Sequence, residues 1–199
     1  MDSPRSPLPA IRAKAVCLFR RKSEVLVIPG HDPVTDIGFY IPPGGGVEFG
    51  EHSSEAARRE VGEELGAEIE ELELLGVFEN HFVYKGLEEH EIVFVYSARF
   101  PDPSWYEKET IEGVESNGAK YVAKWIGLDL FETPGKILFP DGLFRFLRGD
   151  AQMPLTSLIG SGYCSRVSGW LGSSSGLGSR ISSASAHCTR SRRPFGDSS

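Results

Sequence analysis

The chain has 199 residues, 40% of them hydrophobic, with 21 basic against 28 acidic side chains and a formal net charge of −7. That is apolar material for one core, too little length for a second full domain, and the wrong sign for a surface that grips nucleic acid by neutralising phosphates. Three cysteines, Cys17, Cys164 and Cys188, are odd in number and widely spaced, which supports neither a disulfide framework nor a four-ligand zinc site. The apolar run from Ala15 to Phe19 is far short of the roughly 18 residues that cross a bilayer, and the opening MDSPRSPLP has no signal-peptide core. The expectation is a cytoplasmic protein with no membrane association.

Composition divides the chain into a flexible start (1–10), a folded domain (11–148) and a tail (149–199). Beyond position 150 the only charges are Arg166, Arg180, Arg190, Arg192, Arg193 and Asp197, and Ser and Gly dominate without a helical or strand period. Such a stretch cannot assemble a packed core and reads as disordered. A basic interaction arm built on Arg190, Arg192 and Arg193 is the alternative reading.

In chain order, Ala15–Phe19 and Val25–Ile28 are apolar around Arg20-Arg21-Lys22-Ser23 and read as the two strands of a hairpin. Pro42 and Pro43 then stiffen the approach to Gly44-Gly45-Gly46, where backbone groups are able to turn a carbonyl towards a cation or an amide towards a phosphate. The next stretch, rich in Ala, Arg and Glu, predicts a helix over about 54–65 with Ser53 or Ser54 as N-cap and Gly66 as left-handed stop. Segments 74–84 and 91–100 bracket Lys85-Gly86-Leu87-Glu88-Glu89 as a second, longer hairpin. Within it, Ile92, Phe94 and Tyr96 alternate with Val93, Val95 and Ser97, so both faces are mainly apolar and the strand is expected to be central. A strand over 121–128 and a closing helix over 138–147 complete the pattern. The fold class is mixed α/β, a mixed sheet flanked by helices.

On the predicted helix, Glu60, Glu63 and Glu64 fall within one arc of about 100°, beside the apolar stripe Ala57, Val61, Leu65. Two like charges about 4 Å apart cost roughly 4 kcal/mol at an effective dielectric near 20, and a divalent cation between them reverses the sign. All-oxygen ligands suit Mg²⁺ or Mn²⁺, and Mg²⁺ favours one or two carboxylates together with substrate phosphates. Phosphate chemistry follows.

The spacing of Gly45, Glu51, Arg59-Glu60-Val61, Glu63-Glu64 and Gly66 resembles the signature of the Nudix hydrolases. Ala67, where a larger aliphatic residue is usual, and His52, where a Ser or Thr cap is common, are departures that remove no charged group. The resemblance implies an α-β-α sandwich over 11–148 and a divalent-metal hydrolase that cleaves the diphosphate linkage of a nucleoside diphosphate joined to another moiety. It implies Glu60 and Glu64 as the main metal carboxylates, Glu63 as a ligand directly or through water, and the carbonyl of Gly44 or Gly45 as a further ligand. Mg²⁺ is the implied cofactor, with Mn²⁺ as an alternative. A small-molecule diphosphate is the implied partner. Glu51 and Arg59 are expected to orient the site through an ion pair.

A general base is often supplied in this family by a loop acid, and Glu107, Glu109, Glu112 and Glu115 all lie on the irregular 101–119 stretch. Phe39 and Tyr40 are candidates to stack on a base, or belong to the core; Asn80-His81-Phe82 and His90-Glu91-Ile92 line a cleft or are turn residues. The rival function is a catalytically weak nucleotide-binding or regulatory module, which would be expected to have lost one of the three glutamates. A P-loop fails for want of Gly-Lys-Ser/Thr, and a glycosidase because three carboxylates on one helical turn are too crowded to flank a sugar bond. An RNA-decapping role for the arginine-bearing tail is opposed by the acidic body.

Overall fold

A computed structural model describes residues 10–150. The expected disorder of the tail beyond Asp150 and the flexibility of residues 1–9 lie outside the described residues, as do Cys164 and Cys188. The strands are β1 (Ile11–Leu18), β2 (Arg20–Arg21), β3 (Glu24–Asp32), β4 (Ile37–Ile41), β5 (Gly44–Gly46), β6 (Glu70–Tyr84), β7 (Leu87–Arg99), β8 (Thr110–Val114), β9 (Lys120–Gly127) and β10 (Ile137–Leu138). The helices are α1 (Ser53–Leu65) and α2 (Leu143–Leu147). They form two mixed sheets in the orders β5-β1-β7-β6 and β10-β4-β3-β9-β8, with β2 on β3. The β1–β7 and β10–β4 pairs are parallel and the others antiparallel.

Alternation along β1 and β3 builds two cores. Ala15, Cys17, Leu26 and Ile28 join Ala56, Ala57, Val61 and Leu65 of α1, whereas Val16, Leu18, Val25 and Val27 join Phe78, Val93, Val95 and Leu143. Successive strand residues point to opposite faces, so each of these strands serves both clusters and α1 and α2 cover different ones. The architecture is mixed α/β with helices on both sides, as expected. Residue β7 neighbours on either side, β1 and β6, make it an interior strand.

Three local expectations are corrected. Ala15–Phe19 and Val25–Ile28 form a hairpin only at their near ends, where the Leu26 amide donates to the Phe19 carbonyl and Arg20–Arg21 pair with Val25 and Glu24; further along, β1 takes β5 and β7, while β3 takes β4 and β9. Two-faced apolar strands gain more from neighbours in separate sheets, where both faces are covered, than from a half-exposed hairpin. The second hairpin is present but turns tightly at Lys85–Gly86, both with positive φ (53° and 79°), so Glu88 and Glu89 are strand residues opposite Val83 and Phe82. The closing helix is confined to Leu143–Leu147, because Ile137 and Leu138 pair with β4, Pro140 has no amide hydrogen, and Gly142 is left-handed at φ 85°. Among the described residues no helix is long and apolar enough to cross a membrane.

Candidate active site

Helix α1 follows the glycine strand β5, which is stitched to β1 by the pairs Ala15–Gly45 and Val16–Gly44. Its N-cap is His52 rather than a serine: Glu55 Oε2 accepts the His52 amide at 2.9 Å, while the Ser53 hydroxyl is taken by Tyr96 Oη at 2.7 Å. Gly66, at φ 67°, ends the helix and sends its amide to Gly62 O.

Two of the three glutamates are held inward. Glu60 and Glu64 are 8% and 7% exposed, one turn apart beside Val61 and Ala57, whereas Glu63 is exposed. The Glu60 carboxylate fills the space where a Gly45 side chain would begin. Gly45 is therefore a clearance for Glu60. Gly44 is at φ 137°, and a Cβ there would run into the Ala15 carbonyl oxygen, so it too admits no side chain. Amide–carbonyl bonds Val47–Ala13 and Cys17–Pro43 mark these as hydrogen-bonded pairs of the ladder. Strict alternation makes Ala15–Gly45 the bonded pair between them, and turns the carbonyls of Gly44 and Gly46 away from β1.

Arg59 ties this segment together. Its guanidinium donates to both oxygens of Glu51 (2.8 and 3.0 Å), to Glu60 Oε1 (3.0 Å), to Glu63 Oε2 (3.2 Å) and to Gly46 O (2.9 Å). Glu51 Oε2 also accepts the Glu48 amide at 3.0 Å. The Arg59 bond lowers the Glu51 pKa to about 2, and the surrounding carboxylates raise that of Arg59. The expected Glu51–Arg59 pair is thus present, but the expected trio is not gathered: Glu63 points outward, joined to Glu60 only through Arg59. Among the described residues no three His, Cys, Asp or Glu side chains converge as a ready-made ligand set.

Glu64 is in a different situation. Its neighbour is the Tyr121 hydroxyl, which donates to Oε2 at 2.9 Å. Burial raises its pKa to about 7 against that hydrogen bond, with the charges of Glu115 and Glu60 adding to the rise and Lys14 opposing it. Of the four loop acids, Glu115 is therefore the one brought to the helix; Glu107, Glu109 and Glu112 are exposed. The donor set of Glu60, Glu64 and the outward Gly44 carbonyl is all oxygen and short of positive charge at Glu64, so these residues fit a hard divalent cation.

Beyond Gly44 opens a cleft lined by Lys14, Val16, Asn80, Glu91, Phe139 and Pro140 among others. Asn80 and Glu91 are cross-strand partners, 4% and 6% exposed, with Arg12 and Lys14 paired to Glu91 at 2.9 and 3.7 Å. They are strand residues and not turn residues. His81 and His90 point to the other face, ring centroids 5.5 Å apart. The aromatic ring in the cleft belongs to Phe139, a position without a sequence signal. Phe39 reaches it only edge-on against Phe139 (5.7 Å), and Tyr40 packs on Phe131 in the α2-side core. Asn80 did carry a signal, since it interrupts the strand face of Phe78, Phe82 and Tyr84, whereas Glu91 shares its face with Glu89 and did not.

Residues 9–138 match the NUDIX domain family. The chain belongs to that family. Among solved structures, the MutT NUDIX hydrolase from Burkholderia pseudomallei is similar at 23% identity over 60% of this chain and 85% of that one, with a TM-score of 0.38. The MutT protein from Bacillus halodurans is similar at 22% over 69% and 80% (TM-score 0.46), and a putative nudix hydrolase from Chromobacterium violaceum at 22% over 75% and 85% (TM-score 0.45). NUDIX membership supports hydrolase activity of the pyrophosphohydrolase type.

Proposed function

We propose that the chain is a divalent-metal-dependent hydrolase that cleaves the diphosphate linkage of a nucleoside diphosphate joined to another moiety. The observation that carries this reading is the inward pair Glu60 and Glu64, held one turn apart on α1, with the Glu60 carboxylate in the space that a Gly45 side chain would need. Burying two carboxylates with one arginine between them and only a phenol at the second is unfavourable unless a cation completes the charge. Glu60, Glu64 and the Gly44 carbonyl would hold Mg²⁺ or Mn²⁺, which supplies Lewis acidity to neutralise the diphosphate and acidify an attacking water. Glu63 is a further carboxylate, available once Arg59 releases it.

The chain's own residues supply the remaining steps. Arg59 holds the Glu60 carboxylate in place while Glu51 fixes Arg59. Lys14, on β1 in the lining of the cleft, attracts the phosphate charge. Glu115 is the acid next to Glu64 and the candidate to take the proton of the attacking water. Asn80 and Glu91 offer a donor and an acceptor to the attached group, against the flat faces of Phe139 and Pro140. The intact Glu60, Glu63 and Glu64 argue against the weak binding module.

The test is a panel of nucleotide sugars, dinucleotides and nucleoside triphosphates with Mg²⁺ or Mn²⁺, products identified by mass. Cleavage within a diphosphate linkage that stops in excess chelator and resumes on adding metal is the expected result. Full turnover in excess chelator, or no turnover of any diphosphate, rejects the reading.

A further inference from the structure

Glu64 has a partner 57 residues away in sequence, Tyr121 on β9. Strand β8 lies against α1 and pairs with β9 so that Gly113 stands opposite Tyr121. On β8 the side chains alternate: Ile111 and Gly113 are buried, Glu112 and Val114 exposed, and Glu115 half-buried. A Cβ at Gly113 would overlap Cζ, Cε2 and the hydroxyl of Tyr121. Gly113 has an ordinary backbone conformation, so backbone freedom does not explain the glycine. The ring crossing it does.

We propose that Tyr121, seated across Gly113, is the positioning residue of Glu64: by donating to Oε2 it fixes the carboxylate plane and leaves Oε1 to face a divalent cation. The inference rests on the reading of Glu64 as a metal carboxylate. A phenol has a single hydroxyl proton, and aimed at one oxygen it breaks the equivalence of the two. A ring needed only for packing has no use for that hydroxyl. Partners that orient a metal ligand affect metal affinity by about 10–100-fold when removed.

The test titrates the metal-free full-length chain with Mn²⁺ alone and follows free Mn²⁺ by electron paramagnetic resonance, alongside a thermal melt. Tyr121→Phe keeps the ring and is expected to weaken Mn²⁺ binding about tenfold or more, with the melting midpoint within a few degrees of native and occupancy restored by excess Mn²⁺. Tyr106→Phe, which deletes a hydroxyl bonded to the Phe100 amide, is the control with native affinity. Gly113→Ala retains the hydroxyl but displaces the ring, is expected to weaken Mn²⁺ binding likewise, and decides the matter if Tyr121→Phe does not fold. Native Mn²⁺ affinity in Tyr121→Phe overturns the positioning role alone. A native chain that binds no Mn²⁺ overturns the metal reading, and this inference with it.

Discussion

Two groups of carboxylates in and beside helix α1 are held by opposite means. In the first, Glu51, Glu60 and Glu63 share the Arg59 guanidinium, which also holds the Gly46 carbonyl, so each carboxylate touches a cation. In the second, Glu64 is as buried as Glu60, yet it has only a neutral phenol and faces Glu115. Burial of a carboxylate without a cation favours its protonated form, and a nearby like charge adds to that. The first group has a direct counter-charge; the second has none. That difference locates where an added cation has most to gain, a conclusion the glutamate count alone does not give.

The comparison is broken most severely at Glu64. Glu64→Gln should lower kcat for diphosphate hydrolysis by roughly two orders of magnitude or more, equivalent to losing several kcal/mol of transition-state stabilisation, with the melt retained. Near-native kcat in the purified variant would remove Glu64 from the chemistry. Gly45→Ala probes the Arg59-bound group: the new methyl group takes the Glu60 carboxylate's place and should cost about 10–100-fold in activity or Mn²⁺ affinity, while Arg59 keeps Glu51. A variant with unchanged affinity would show that Glu60 functions equally well from elsewhere.

The smallest effects lie in the pH dependence of stability, where Glu51 and Glu64 have opposite signs. Glu51 titrates near pH 2 when folded, below its ordinary value of 4.5, so its contribution is fully present above pH 4.5 and is lost as pH falls towards 2. Glu64 titrates near pH 7 when folded, above the same 4.5, so the folded state holds a proton the unfolded state has released. Its contribution is complete below pH 4.5 and declines as pH rises to about 7. Metal-free melts should therefore show a decline from pH 4.5 to about 7 that Glu64→Gln abolishes and Glu51→Gln leaves, and an acid decline below pH 4.5 that behaves the other way round. Identical profiles for both variants would contradict the contrast.

The sequence announced the α1 segment because its chemistry is local: Glu51, Arg59, Glu60, Glu63, Glu64 and the flanking glycines lie within about two dozen residues, and helical spacing relates them directly. Mixed α/β class, the helix span and the long β6–β7 hairpin were equally local patterns. What spacing does not carry is partnership across the fold. Tyr121 and Gly113 matter through a hydrogen bond and a contact that only the sheet creates. Phe139 enters the cleft because β10 runs beside β4, and β1 and β3 part company because each needs cover on two faces. Glu115 stood out among four loop acids only once the alternation of β8 directed it to the helix.

Gly46 and Glu51 are fastened to one guanidinium, and the residues between them, Val47 to Gly50, span that fixed distance. Phe49, in the middle, is fully exposed and makes no demand on its identity. Here, then, the Phe49 side chain is free to drift but the number of residues is not: one inserted or deleted position would tear an anchor from Arg59, whereas the Lys85–Gly86 turn has no such double tether. The gap between Gly46 and Glu51 is a measuring rod cut to the width of an arginine head group.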